Sequence, residues 1–489
     1  MTTMTTIGSG NAMDIESTMA STMILDNASR INTTSVEHSG VGITRADIEQ
    51  LGNRVRLTDK CEENYLELFC YVNCGANDSQ VVKKCRGVVF WNNSIVMNAF
   101  PYTEEYTEKD SQTVESVIGP ILSNCAVFDA HEGTLIRMFC FNNKWYTSTH
   151  RKLNAFRSKW SSKESFGTSF KRALEAEVEN NQNLRDSLPV NEDGLLERFQ
   201  STLDNRKQYM FLVRNTEENR IVCAPPSRPT VYHVGTFIGD QLSLTENINI
   251  PWPRRHNFST VSDVLRYTRS LDIRHLQGVI IFAPNNCQYK IVHKDYQDLF
   301  EARGNEPSIK YRYLQVRTNM RMVNMLRYLY PNMVDMFEKY ENTIYSIAKN
   351  IYNAYVQRFI KKKWVTVSAE EFNVVRECHS WYEQNRTGNR ITIQKVIQVL
   401  NDQTPTNINK MIRNFLHEKD QQTDIQDVED QRTRSNTITS HQSKPSPMLL
   451  SINPSNLSKQ TKHNKRKSNT LPTVQSGNDL TVEAMSLDN

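Results

Sequence analysis

The chain reads as an α+β protein: an antiparallel-sheet domain, then a helical domain, with disordered polar arms at the N and C termini. Three observations predict this. Apolar, β-branched runs joined by two-asparagine turns recur between residues 81 and 149, and asparagine tolerates the positive φ that tight hairpin turns demand. Beyond Ile309 the apolar residues recur every three or four positions, the period of helices. The two ends are rich in Ser, Thr, Asn and Gln without a sustained apolar period, so they bury too little surface to offset the entropy of ordering. The expected divisions are a 1–40 arm, a 41–308 sheet domain, a 309–417 helical domain and a 418–489 basic and polar tail.

With 489 residues and 38% hydrophobic content the chain is long enough for two or three cored domains. A net charge of +5 is compatible with nucleic-acid contact without demanding it. Nine cysteines without paired Cys-x-x-Cys elements predict reduced thiols inside a cell. Cys61, Cys70, Cys74 and Cys85 cluster in sequence, but no histidine is near and their flanks alternate like strands. They are read as small buried hydrophobes, and no metal site is expected. No basic segment with a following apolar run opens the chain, and no stretch approaches the roughly 20 apolar residues that span a bilayer. The expectation is an intracellular, cytoplasmic protein with no membrane contact.

Taken in order, packed structure is expected from Ile43, through Ala46–Leu51 and Tyr65–Phe69. Val81 to Phe100 reads as a hairpin turning at Asn92-Asn93, and Leu135 to Thr149 as a second one turning at Asn142-Asn143. Between them, Phe128–Phe139 reads as a charged turn opening into a buried strand. The run from His150 to Trp160 is basic, with Phe156 and Trp160 interleaved, and leads into a helix near Phe166 to Val178. Cations beside rings suit a phosphate backbone and unpaired bases, so Arg151, Lys152, Arg157 and Lys159 are candidate RNA contacts. The bland alternative is a solvated face with two rings tucked into the core.

Further short strands are expected at Tyr209–Val213, Asn219–Cys223 and Val231–Gly235, then at Gly278–Phe282 and Gln288–His293. In the helical domain Phe337, Tyr340, Ile344, Ile347, Ile351, Tyr355 and Phe359 form one stripe. Arg358 and Lys361–Lys363 suit the negative end of that helix's dipole, and Ser368 with Glu371 makes a capping box for the next helix. In the tail, the Lys462–Lys467 cluster has the composition of a nuclear import signal.

Several segments, in this order, resemble the ATP-dependent RNA ligase family of the phage tRNA-repair type, part of the covalent nucleotidyltransferase superfamily. Lys84-Cys85-Arg86-Gly87-Val88 resembles the arginine-glycine strand ahead of the active site, and Ala99-Phe100-Pro101-Tyr102-Thr103-Glu104 the lysine-aromatic-acid segment. Ala130-His131-Glu132-Gly133-Thr134 resembles the nucleophile motif, and Trp145–Thr149 the strand after it. Glu218–Val222, Gln277–Ile280 and Lys290–Tyr296 are similar to the third, fourth and fifth motifs. The likeness covers about residues 60 to 320.

The resemblance implies an RNA-ligase-like nucleotidyltransferase domain using ATP or GTP with Mg, in which a lysine amine attacks the α-phosphate and RNA is the partner. It assigns nucleotide contacts to Arg86, Glu132, Gly133, Arg220 and Lys290. The sequence departs from the pattern where the chemistry is done. Ala130 stands at the nucleophile, Ala99 at the second lysine, Leu212 or Val213 at the third-motif acid, Gln277 at the fourth-motif glutamate, and Val292 at the second lysine of the fifth. Replacement nucleophiles, if there are any, are His131, His150 or Lys152. Two readings stay open: a protein that acts on or binds RNA ends without standard lysyl-AMP chemistry, or a catalytically inactive scaffold or nucleic-acid-binding protein that keeps the fold, with its helical domain available to protein partners.

Overall fold

The computed structural model describes residues 43–216, 221–284 and 286–419. The N-terminal arm, the tail from residue 420 on with the Lys462–Lys467 cluster, and Arg220 lie outside the described residues. Among the described residues there are fourteen strands: β1 Val55–Cys61, β2 Leu66–Tyr71, β3 Arg86–Trp91, β4 Ser94–Met97, β5 Thr103–Thr107, β6 Ala126–Ala130 and β7 Thr134–Phe141, then β8 Lys144–Ser148, β9 Lys207–Arg214, β10 Thr230–Ile238, β11 Gln241–Ser243, β12 Arg255–His256, β13 Gly278–Phe282 and β14 Gln288–Val292. They form three sheets, ordered β1-β2-β3-β4, β11-β10-β9-β7-β8 and β12-β6-β13-β14-β5. All neighbours are antiparallel except β5 and β14, which run parallel.

Both asparagine hairpins form. Trp91 pairs with Ser94 and Phe141 with Lys144, leaving two-residue turns in which Asn92, Asn142 and Asn143 take φ near +50 to +58°, the left-handed region that asparagine enters at low cost. The first hairpin begins later than its apolar pattern suggests. Residues Gln80–Lys84 are a short helix because the Ser79 hydroxyl accepts the Val82 N–H and starts a turn.

The β10-β9-β7 sheet is backed by the helix Phe166–Asn180, whose Phe170 ring sits 5.2 Å from Phe211 within a core that includes Ile136 and Leu174. The β6-β13-β14 sheet is backed by the helices Ser111–Ile118 and Val261–Arg269 through Val114, Val264, Val279 and Ile281. The facing sides of the two sheets meet over Phe128, Phe282, Met210 and Phe237, with Leu68 and Val89 of the first sheet in the same core. The chain crosses from one sheet to the other through three residues, His131-Glu132-Gly133, between β6 and β7.

The helical region follows from Ile309. Helix Val334–Tyr355 buries Phe337, Ile344, Ile347 and Ile351, the stripe its period predicts, and Phe337 stacks on Tyr313 at 4.3 Å. The capping box at Ser368 and Glu371 forms with both reciprocal hydrogen bonds. The core of this region continues into Ile221, Val222, Cys223, Val292, Tyr296 and Leu299, so it is shared with the end of β14, the helix Lys294–Arg303 that follows it and the bend at Ile221–Cys223. Cys70 and Cys85 are buried, and burial pushes the Cys85 thiol up to about 12. Among the described residues no helix is long and apolar enough to cross a membrane.

Candidate functional site

The crossing loop opens onto a cavity of about 180 Å³ between the two facing sheets. Phe128, Asp129 and Ala130 of β6, Ile280 of β13 and Gln288 and Lys290 of β14 form one wall; Leu135, Leu212 and Val234 of β7, β9 and β10 form the other. Arg86, at the head of β3, and His150, just after β8, close one end. The walls are largely apolar with a few converging polar groups, the constitution of a small-ligand site.

Two glycines hold the loop against its neighbours. A Cβ on Gly133 would lie 2.6 Å from the Val213 carbonyl oxygen, so only glycine lets the loop reach β9. Gly87, beside Arg86, has φ +93° and would place a Cβ 2.5 Å from the His150 carbonyl oxygen. Behind it the fully buried Arg137 donates to the carbonyls of Gly87 and Thr149, the latter at 2.6 Å. Arg137 was not legible as a site residue, because its partners are backbone atoms on β3 and just after β8.

Glu132 is fully engaged. Its carboxylate accepts the backbone N–H groups of Ile221, Val222 and Cys223 at 2.9–3.3 Å and the Tyr296 hydroxyl at 3.0 Å. This corrects the expected strand at Asn219–Cys223: Ile221–Cys223 is a bend, because its amides pair with a side chain rather than with another strand. Burial and the Glu132 charge push the Cys223 thiol and the Tyr296 phenol up.

Gln277 donates its amide N–H to the His131 carbonyl at 2.8 Å. A carboxylate there would accept only and could not make this bond, so glutamine at this position fits the loop. Lys290 is ion-paired with Glu105, its direct neighbour in the parallel β5–β14 register. Asp129, which the sequence did not single out, lines the cavity and accepts from His256 Nε2 at 2.8 Å and the Tyr267 hydroxyl at 2.7 Å. Both partners lie more than a hundred residues away, beyond any local pattern.

Of the three replacement nucleophiles, His131 and His150 line the cavity and Lys152 does not. His131 stacks on Tyr232 at 4.7 Å; burial and nearby Arg214 push its imidazole down to about 4. Burial, then Arg86, Arg137 and Arg151, hold His150 well below the ordinary imidazole range. Both rings are neutral at pH 7. His131 Nδ1, His150 Nε2 and Gln288 Nε2 are buried and have no hydrogen-bond partner among the described residues. Ala130 is itself buried on β6, opposite Gly278.

The divalent metal that the family likeness implies does not fit these residues. Asp129 and Glu132, the carboxylates on the cavity wall, are taken up by the partners above; positions 212 and 213 are apolar; Gln277 is a donor to the loop. Among the described residues no group of three His, Cys, Asp or Glu is placed to hold a metal.

The candidate RNA contacts lie outside the cavity. Arg157, Lys159 and Phe156 are exposed, Arg151 and Lys152 are half-buried, and Trp160 is half-buried with the Arg303 guanidinium 5.1 Å over its ring.

No family model matches the chain. It is similar to an immediate-early protein ICP-46 homolog of Invertebrate iridescent virus 6, 29% identical over 375 residues that cover 72% of this chain and 81% of the relative. The ICP-46 homolog of Invertebrate iridescent virus 3 is 30% identical over 329 residues, 65% of this chain and 69% of the relative. ICP-46 of Frog virus 3 is 25% identical over 256 residues, 50% and 62%. Among solved structures, an archaeal ATP-dependent RNA ligase aligns at TM-score 0.34 and 11% identity, covering 60% of this chain and 71% of that one. A putative ATP-dependent DNA ligase from Aquifex aeolicus aligns at TM-score 0.34 and 13% identity, covering 68% and 86%.

Proposed function

We propose, from the premise that the chain belongs to the family of the immediate-early protein ICP-46, that its cavity is an RNA-ligase-like nucleotide pocket that works without a covalent lysyl-nucleotide. It holds ATP, GTP or the 5′ end of an RNA between the two sheets. The observation that carries this is Ala130: a methyl group stands on the cavity wall where the likeness places the nucleophilic lysine. Lys290, the one lysine lining the cavity among the described residues, is committed to Glu105. The order of the motif-like segments supports the ligase-like part of the reading, including the phage tRNA-repair type.

The residues present can bind and orient. Arg86 offers a planar guanidinium that suits phosphate oxygens, and the buried Nε2 atoms of His150 and Gln288 offer hydrogen-bonding positions at the same end. The aromatic and aliphatic walls, Phe100, Phe128 and Phe282 among them, suit a base. Among the described residues that line the cavity, the lysine amine is paired and the carboxylates are hydrogen-bonded to the protein, and what this lining supports is binding.

The test is incubation of the protein with labelled ATP, GTP and 5′-phosphorylated RNA, followed by equilibrium binding and denaturing gels. Binding is expected without an acid-labile adduct, and Arg86→Ala should weaken it roughly tenfold or more. Ala130→Lys alone should form no adduct, because the amine would act without metal ligands. An acid-labile label on the wild-type chain would overturn the reading and direct attention to His131 and His150. Absence of any nucleotide or RNA-end binding would leave the scaffold alternative.

A further inference from the structure

The end of the long helix in the helical region is unusual. Val334–Tyr355 continues into a π-helical turn, Val356–Ile360, in which the Lys361 N–H donates to the Val356 carbonyl and the Lys363 N–H to the Gln357 carbonyl, each at 2.9 Å. Isolated π turns are rare and concentrate at functional positions. The turn closes on Lys362 at φ +53°. A lysine in the left-handed region costs about 1 kcal/mol or more relative to the glycine that usually ends helices this way.

This geometry presents a row of side chains to solvent. Arg358, Ile360, Lys361, Lys362, Lys363 and Trp364 are exposed, with Ile360 at 66% and the Trp364 indole at 88%. The tip is fastened from below: the Phe359 ring stacks on His379 at 3.8 Å, and the Arg358 guanidinium lies 5.1 Å over Phe372. Nearby carboxylates are committed elsewhere, Glu370 to Lys410 at 3.7 Å and Glu371 to the Ser368 cap. Among the described residues no ion pair involves Arg358, Lys361, Lys362 or Lys363. The helix dipole accounts for cations at this end, but not for an exposed indole beside them on a strained turn.

We propose that this tip is a contact site for single-stranded nucleic acid, in which Arg358 and Lys361–Lys363 meet consecutive phosphates and Trp364 stacks on an unpaired base. Four exposed cations without an ion pair among the described residues supply the charge complementarity, and an indole face is a stacking platform open to any base. The pairing argues against a lipid surface, because interfacial anchoring needs a continuous apolar face and the tip offers only Ile360 and Trp364. The site is separate from the cavity and does not depend on nucleotide binding there.

The test is fluorescence anisotropy of a short labelled oligo(U) and oligo(dT) with the full chain across a salt series, beside the matching duplex and phosphatidylserine vesicles. Wild type should bind the single strands with a steep salt dependence. The triple variant Lys361→Ala, Lys362→Ala, Lys363→Ala should lower the log–log salt slope by about 2. Trp364→Ala should weaken binding roughly tenfold with the slope unchanged. All these residues are exposed, so matching thermal melts check that the variants fold. Oligonucleotides ending in a 5′-hydroxyl keep the cavity's proposed 5′-phosphate ligand out of the titration, and saturating ATP should leave oligonucleotide binding at the tip intact, which separates this site from the cavity. Equal affinity and slope in the triple variant, equal binding of duplex, or binding to vesicles without binding to the single strands would each overturn the proposal.

Discussion

At the scale of single residues, Glu132 shows how much of the fold a motif position can hold. Its carboxylate gathers three backbone amides from Ile221–Cys223 and the Tyr296 hydroxyl. Replacing it by alanine leaves several buried donors unpaired, which costs roughly 3 kcal/mol or more. Glu132→Ala should lower the urea midpoint accordingly, whereas a contact made only with nucleotide would leave unliganded stability unchanged. The position was legible in the sequence as special, since an acid and a glycine follow Ala130 and precede a buried strand. Its partners were not, because amides some 90 residues away leave no trace in local pattern. The same holds for Asp129, whose His256 and Tyr267 contacts depend on three elements meeting.

At the scale of elements, local chemistry was the most readable. The turn Asn142-Asn143 was predicted from two residues and their flanks, and both adopt positive φ. Asn143→Gly should change stability by only a few tenths of a kcal/mol, whereas Asn143→Val should cost about 1–2 kcal/mol through the steric cost of the left-handed region. Thermal melts of the two variants, side by side, check the sign and order. The helical stripe from Phe337 to Phe359 was equally plain in the sequence, because a period of three to four is written along one element. Its π-helical end was not, because Val356–Ile360 carries no proline, glycine or other local signal of the change. The parallel pairing of β5 with β14 was also hidden, since it joins strands 185 residues apart through the Lys290–Glu105 pair and its neighbours in the register.

At the scale of the whole molecule, two predictions concern what holds the parts together. His131 and His233 are buried with imidazoles pushed down to about 4, both chiefly by burial. In the unfolded chain they take up protons near pH 6.5, so between about 6.5 and 4 the unfolded state binds more protons. Stability should therefore be flat above pH 6.5 and fall as the pH drops through that window, by roughly 3 kcal/mol for each histidine at the acid end. Denaturation midpoints across this range check it, and His131→Asn should remove its share of the slope. The second prediction comes from the core that joins Ile221–Cys223 and Tyr296 to Tyr313, Phe337 and Ile412. A fragment ending at residue 308 exposes Ile221–Cys223, Val292, Tyr296 and Leu299, its share of that core, so it should be insoluble or lack a cooperative melt, while the chain through residue 419 keeps one. The sequence marked residue 309 by its change of period, but a change of period locates where helices begin and not whether two regions share an interior.

The clasp formed by Glu132 also has a kinetic signature. One carboxylate receives three adjacent amides on its two oxygens, so a movement that withdraws the Glu132 side chain frees all three together. In native-state deuterium exchange, Ile221, Val222 and Cys223 should therefore exchange at a common rate, as one opening event. Tyr296 ties that event to the helix Lys294–Arg303. A ligand that settles in the cavity should slow the trio together, while unrelated bends of the surface keep their individual rates, so the exchange rate of three backbone hydrogens becomes a gauge of occupancy in a pocket they do not themselves touch.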